Sequence, residues 1–191
     1  MSAKSVLILK GSPRDKGNSS TLADQVALGA REAGAEVETV ALHKLKIEPC
    51  TACDACQRAG GGGHCNIDDD MQALYPKLTG ADAIVISSPV YWFTLSAQVK
   101  LCIDRWYALE SPQGNPLRGK DFGLVLAYGD SDAFNSGAIN AIRAIQDMCR
   151  YLRINIVGIV HGSLSDIGDV QKQPELMQRA HELGRKMAAR G

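Results

Sequence analysis

Five short apolar runs punctuate this chain: Val6-Leu7-Ile8-Leu9, Val37-Glu38-Thr39-Val40-Ala41-Leu42, Ala83-Ile84-Val85-Ile86-Ser87, Phe122-Gly123-Leu124-Val125-Leu126-Ala127 and Ile154-Asn155-Ile156-Val157-Gly158-Ile159-Val160. All but the second are nearly free of polar interruption. Continuous apolar runs of this length read as strands covered on both faces, the condition of a parallel sheet. Helical segments lie between and after them, over Thr21 to Ala33, Asp69 to Leu78, Ser96 to Trp106, Ala138 to Arg153 and Pro174 to Ala189. The alternation predicts an α/β three-layer sandwich with a five-stranded parallel sheet in the flavodoxin-like order 2-1-3-4-5. A chain of 191 residues buries one substantial core, so residues 1–191 are read as a single domain.

In such a sheet, ligands sit beyond the carboxyl ends of the strands where the strand order reverses, which directs attention to the loops after strands 1, 3 and 4. Strand 1 leads into Gly11-Ser12-Pro13-Arg14-Asp15-Lys16-Gly17-Asn18-Ser19-Ser20-Thr21. Hydroxyls and backbone N–H groups at a helix start, with the helix dipole and the Arg14 charge, suit a phosphate. The same residues also read as ordinary helix caps. Neither Gly-x-Gly-x-x-Gly nor a Gly-Lys-Ser/Thr triphosphate loop is present, which leaves a monophosphate and points to FMN. Strand 3 leads into Ser88-Pro89-Val90-Tyr91-Trp92-Phe93, an aromatic wall for an isoalloxazine ring or, alternatively, core or interface packing. Ala127-Tyr128-Gly129-Asp130 after strand 4 suits either close approach to a ring or a surface turn.

The regular pattern breaks once, over residues 43–67, far beyond the about 2 to 6 residues of an ordinary strand-to-helix turn. This cysteine-rich insertion holds Cys50, Cys53, Cys56 and Cys65, four of the six cysteines in the chain. Compact cysteine runs are the usual ligands of a [4Fe-4S] cluster. Zinc and free or redox-active thiols are the alternatives. The run Gly60 to Gly63 before Cys65 lets the chain fold back at little steric cost. Cys102 and Cys149 fall in helices and read as small buried residues.

Lys plus Arg equals Asp plus Glu at 21 each, so there is no basic field for nucleic acid and no attraction to an acidic membrane. No apolar run approaches a membrane span or a signal-peptide core, and the expectation is a cytoplasmic protein.

Taken together, Gly-Ser-Pro-Arg with Gly-Asn-Ser-Ser, the Cys-x-x-Cys-x-x-Cys segment, Asp68-Asp69-Asp70-Met71, Ser88-Pro89-Val90-Tyr91-Trp92 and Lys100 to Arg105 resemble the NAD(P)H-dependent FMN reductase superfamily, most of all its iron-sulfur flavoproteins. The resemblance implies a flavin-dependent oxidoreductase that is a homodimer or homotetramer. Noncovalent FMN would be held by Ser12, Arg14, Asn18, Ser19, Ser20 and Thr21 at the phosphate and ribityl chain, and by Pro89, Val90, Tyr91, Trp92 and Phe93 along the ring. It further implies a [4Fe-4S] cluster on Cys50, Cys53, Cys56 and Cys65, a ferredoxin-type donor or NAD(P)H, and a small-molecule acceptor. No side chain acts as nucleophile in this reading. Lys100, Asp104 and Arg105 read as structural, anchoring a helix by polar contacts or forming an interface. Other readings are a cluster-free NAD(P)H-dependent FMN or quinone reductase and a flavodoxin-like electron carrier.

Overall fold

Alternation along each strand divides the interior into two cores. A computed structural model describes residues 3–58 and 64–189. On β1 (Ser5–Lys10), Leu7 and Leu9 enter one core while Val6 and Ile8 enter the other. The same division recurs on β3 (Ala83–Tyr91), where Ile84 and Ile86 oppose Ala83 and Val85. Helices on both faces therefore explain why these runs are apolar without interruption. β2 (Glu36–Ala41) pairs only with β1, and its polar alternation is that of an edge strand.

The remaining strands are β4 (Thr94–Leu95), β5 (Asp121–Tyr128) and β6 (Asn155–Ser163). The long strands run parallel in the order β2-β1-β3-β5-β6, the predicted order of five strands. β4 is an addition to the prediction. It pairs antiparallel with the end of β3 through a two-residue turn at Trp92 and Phe93, whose φ values are 45° and 66°. Asn-Gly or Asp-Gly would have announced such a hairpin, and two bulky aromatics in left-handed conformation do not.

α1 (Asn18–Glu32) and α6 (Pro174–Ala188) cover one face; α3 (Met71–Gly80), α4 (Ala97–Asp104) and α5 (Ala138–Leu152) cover the other. α2 (Ala55–Arg58) is a single turn within the cysteine-rich segment. Helix α1 begins three residues before the predicted Thr21, because extended Gly17 is its N-cap and the Gly17 carbonyl accepts the Thr21 N–H at 2.9 Å. Cys102 and Cys149 are each 1% exposed, and burial pushes both thiols up to about 12. Among the described residues no helix is long and apolar enough to cross a membrane.

The α1–α6 contact depends on two glycines. A Cβ on Gly29 would stand 2.0 Å from the His181 carbonyl oxygen, and one on Gly184 would stand 2.0 Å from that of Val26. Backbone cannot yield as a side chain does, so Gly29→Ala is expected to cost about 1 to 3 kcal/mol despite the better helix propensity of Ala. Gly80→Ala, at a position with nothing within 4 Å, should be neutral or stabilising. Thermal unfolding of the two variants checks the contrast, and equal melting temperatures would overturn the close-contact argument.

Candidate active site

The carboxyl ends of four strands, β1, β3, β5 and β6, meet at one cleft. Ser12, Arg14, Gly17, Asn18 and Ser19 line one side of a cleft of about 220 Å³, faced by Pro89, Val90 and Tyr91 at the end of β3, Tyr128 and Gly129 at the end of β5, and Leu164, Ser165 and Ile167 after β6. Val90, Tyr91, Tyr128 and Gly129 continue into a wider hollow of about 560 Å³ that Trp92, Phe93, Asp130, Asn135 and Ser136 complete.

At the narrow end, no side chain caps α1, leaving the backbone N–H groups of its first turn without the usual oxygen. Gly17 keeps this end open, since a Cβ there would lie 2.9 Å from the Ser12 hydroxyl. Loop geometry is held from within. The Ser12 hydroxyl accepts the Arg14 N–H at 3.1 Å, and the buried Ser20 hydroxyl donates to the Arg14 carbonyl at 2.9 Å. Open helix N–H groups beside Arg14 suit a phosphate, and the aromatic hollow suits a flat ring. The donor set therefore fits FMN.

The structure thus brings Ser12, Arg14, Asn18 and Ser19 to the cleft together with Pro89, Val90 and Tyr91, and places Trp92 and Phe93 on the adjoining hollow. Ser20 and Thr21 stand behind it, Ser20 bracing the loop and Thr21 closing the first helical hydrogen bond. The Asn18 side chain turns to the loop after β6. Its Nδ2 donates to the carbonyls of Asp166 at 2.7 Å and Leu164 at 3.3 Å, while its Oδ1 accepts the N–H groups of Gly168 at 3.1 Å and Val170 at 3.3 Å. Attention to loops 1, 3 and 4 missed this fifth loop. Gly162-Ser163-Leu164-Ser165-Asp166-Ile167-Gly168 directly after the last strand was the available signal.

Phe93 and Gly137 fit each other tightly. Gly137 has a φ of +74° and a Cβ on it would lie 2.4 Å from the Phe93 Cβ, while the Asn140 amide donates to the Phe93 carbonyl at 3.2 Å. The hairpin tip is thereby fixed against the start of α5, with Trp92 left 91% exposed at the mouth of the hollow.

The cysteine-rich segment lies at the same end of the sheet and is tied down by buried charge. Arg105 directs Nη1 to Asp69 Oδ2 at 2.5 Å and to the Glu48 carbonyl at 2.9 Å, and Nη2 to Cys65 Sγ at 3.3 Å. Both charged side chains are essentially inaccessible, at 0% and 1%. Asp69 also accepts the backbone N–H groups of Glu48 and Met71, and Asp70 accepts that of Lys46. Burial alone would raise the Asp69 carboxyl, but Arg105 and these N–H groups hold it below its ordinary value. Lys100 and Asp104 form a surface i,i+4 ion pair, so of the three residues given a structural reading only Arg105 anchors the interior.

Cys50 and Cys53 are exposed, Cys56 is buried and Cys65 is half-buried; all four are free thiols. Left-handed Ala52 and Asp54 flank Cys53 with φ values of 52° and 56°. The Ala55 N–H and the Thr51 hydroxyl hold the Cys53 thiol below its ordinary value. Gln72 Nε2 donates to the Cys65 carbonyl at 2.6 Å and steadies the far side of the segment. Thiolate-stabilising N–H groups are the chemistry a metal-sulfur centre uses, although among the described residues no three ligand-type side chains stand close enough to hold a metal. Gly60 to Gly63, the flexible stretch of the sequence reading, lies outside the described residues.

Comparison with known proteins agrees with this architecture. Residues 5–166 match the family model for NADPH-dependent FMN reductase. The chain is 31% identical to an iron-sulfur flavoprotein of Methanocaldococcus jannaschii over 96% of its own length and 95% of that protein, and 33% identical to one of Methanosarcina thermophila over 78% and 75%. Among solved structures, an NAD(P)H:quinone oxidoreductase from Methanothermobacter marburgensis superposes with a TM-score of 0.76 at 20% identity, over 96% of this chain and 98% of that one. At that identity the likeness speaks for the fold. With the family model covering most of the chain, the protein belongs to the NADPH-dependent FMN reductase family and is a flavin-dependent oxidoreductase.

Proposed function

We propose that this protein binds FMN in the cleft at the carboxyl ends of β1, β3 and β5, and passes electrons from a ferredoxin-type donor or NAD(P)H to a small-molecule acceptor in the cytoplasm. The observation that carries the reading is the uncapped start of α1 at the head of a cleft whose other end is aromatic. FMN supplies the redox chemistry, and the polypeptide binds, orients and shields it. The first-turn N–H groups with Arg14 and Ser19 hold the phosphate. Pro89 to Tyr91 lie along the ring, with Trp92 and Phe93 screening its open side. Cys50, Cys53, Cys56 and Cys65 would hold a [4Fe-4S] cluster once the segment closes on it, which would supply one-electron transfer, and Arg105 would offset the charge of the Cys65 sulfur. The exposed rings of Trp92 and Phe93 at the mouth, with exposed Phe134 in the loop after β5, are the surface where a homodimer or homotetramer forms.

Anaerobic purification tests these assignments together. Flavin absorbance bands with about four irons and matching sulfide per chain are expected. Flavin without iron, together with steady-state NAD(P)H oxidation, would replace the cluster reading with a cluster-free reductase. A colourless protein that takes up no added FMN would overturn the assignment of the cleft.

A further inference from the structure

Tyr128 and His161 stand between the cleft and a second cavity at the sheet edge. Tyr128 ends β5 and lines both the narrow cleft and the aromatic hollow. Its hydroxyl lies 3.1 Å from Nδ1 of His161 on the edge strand β6, with the two rings 5.9 Å apart and tilted by 33°. The register explains the meeting: Tyr128 pairs with Ser163 and Leu126 with His161, so the two rings are diagonal neighbours on one face of the sheet. His161 in turn lines a separate cavity of about 370 Å³ at the start of α6, among Lys172, Gln173, Glu175, Leu176 and Arg179. Lys172 there is 77% exposed, which marks that cavity as reached by water.

Both partners are held in place. The Tyr128 carbonyl accepts the Leu164 N–H at 2.6 Å, Ser165 donates its hydroxyl to the Gly129 carbonyl at 2.8 Å, and Gln173 donates to the Ser163 carbonyl at 3.0 Å. The charged groups facing the pair are Arg179, Lys172 and Glu175 from the α6 side and Asp132 from the loop after β5. Burial, helped by Arg179, lowers the His161 imidazole from its ordinary value, and burial with Asp132 raises the Tyr128 hydroxyl. Near neutral pH the pair is therefore neutral imidazole and neutral phenol.

We propose that Tyr128 and His161 form a relay that brings protons from the outer cavity to the acceptor bound in the flavin cleft. The inference rests on the flavin reading above. A two-electron carbonyl or quinone acceptor takes two electrons and a proton as a hydride equivalent on one atom, and a second proton on oxygen. The second proton travels the relay: the Tyr128 O–H bond breaks as a bond forms to the acceptor oxygen, the proton on His161 Nδ1 passes to the Tyr128 oxygen, and Nε2 takes a proton from water in the outer cavity. Charge on the pair is unchanged, and the imidazole is left as its other neutral tautomer, which resets by exchange with water. Tyr128 is the donor to the reacting atom and His161 acts through it.

The relay is tested with Tyr128→Phe and His161→Gln in FMN-loaded protein, with NAD(P)H as donor and either a benzoquinone, which needs the second proton, or ferricyanide, which takes electrons alone. Each variant should lose about 100-fold more rate with the benzoquinone than with ferricyanide, and the wild-type solvent deuterium effect on the benzoquinone rate should shrink. Equal losses with the two acceptors, or none, would overturn the relay. Flavin absorbance of each variant separates this outcome from failure of the cleft assignment, which would show as lost FMN. In flavin-free protein, nitrogen NMR of His161 gives a readout independent of turnover: Tyr128→Phe should shift the Nδ1 resonance, and an unchanged resonance would mean that the hydrogen bond is absent.

Discussion

Asp69→Asn is expected to lower the unfolding free energy by about 3 to 5 kcal/mol, because it leaves the inaccessible Arg105 guanidinium without its counter-charge. For a chain of this length that corresponds to a fall of roughly 10 °C in melting temperature. Asn keeps the shape of Asp69 and one acceptor oxygen, so the loss reports charge rather than volume. Three backbone contacts depend on the same carboxylate or its neighbour: the Glu48 and Met71 N–H groups on Asp69 and the Lys46 N–H on Asp70. The cysteine-rich segment should therefore loosen with the fold, seen as faster alkylation of Cys56, which is buried in the parent. A paired Asp69→Leu, Arg105→Met variant should recover much of the loss, since removing both charges leaves neither stranded. If Asp69→Asn melted within a degree of the parent, the ion pair would carry no net stability.

The acid limb follows from the same group. The folded Asp69 carboxyl lies below its unfolded value of about 3.9, so its contribution is complete above that pH and is lost as the pH falls through the folded value. Asp69→Asn should flatten this part of the stability profile.

Why some of this was readable from letters and some not comes down to range. The strand order followed from uninterrupted runs such as Ala83 to Ile86, whose two-sided burial is a local property of composition. Ser12, Arg14 and Ser19 were found because a helix start after a strand is a local anion site. The reach of Asn18 was not legible, since its four partners lie about 150 positions away and it is the packing of α1 against α6, not strand adjacency, that brings the segment after β6 to the start of α1. The hairpin at Trp92 and Phe93 escaped for the opposite reason: the local signal argued against it, and contacts from Gly137 and Asn140 impose it. Arg105 gave a local hint of a structural role, but its partners lie far earlier in the chain, Glu48 and Cys65 in the cysteine-rich segment and Asp69 just after it.

Asn18→Ala should weaken FMN binding by about tenfold to a hundredfold through the loop it holds. The side chain makes four hydrogen bonds to the segment 164–170, each worth about 1 kcal/mol net. Only the part of that sum coupled to FMN binding lowers affinity, each 1.4 kcal/mol of it being tenfold. Leu164, Ser165 and Ile167 form one wall of the cleft, so a lifted loop removes a wall and leaves the phosphate end of α1 open. Asn18→Asp discriminates this account from simple loss of a polar contact. Aspartate keeps the acceptor for the Gly168 and Val170 N–H groups but has no donor for the Leu164 and Asp166 carbonyls, and it sets a negative charge beside the phosphate site. It should bind FMN more weakly than Asn18→Ala, whereas a residue acting only by filling space would tolerate Asp better than Ala. Ser20→Ala, which frees the Arg14 carbonyl, should add to the loss when combined with Asn18→Ala. Titration of flavin-free protein by quenching of FMN fluorescence measures all four proteins, and an unchanged affinity in the Asn18→Ala, Ser20→Ala double variant would place the phosphate elsewhere.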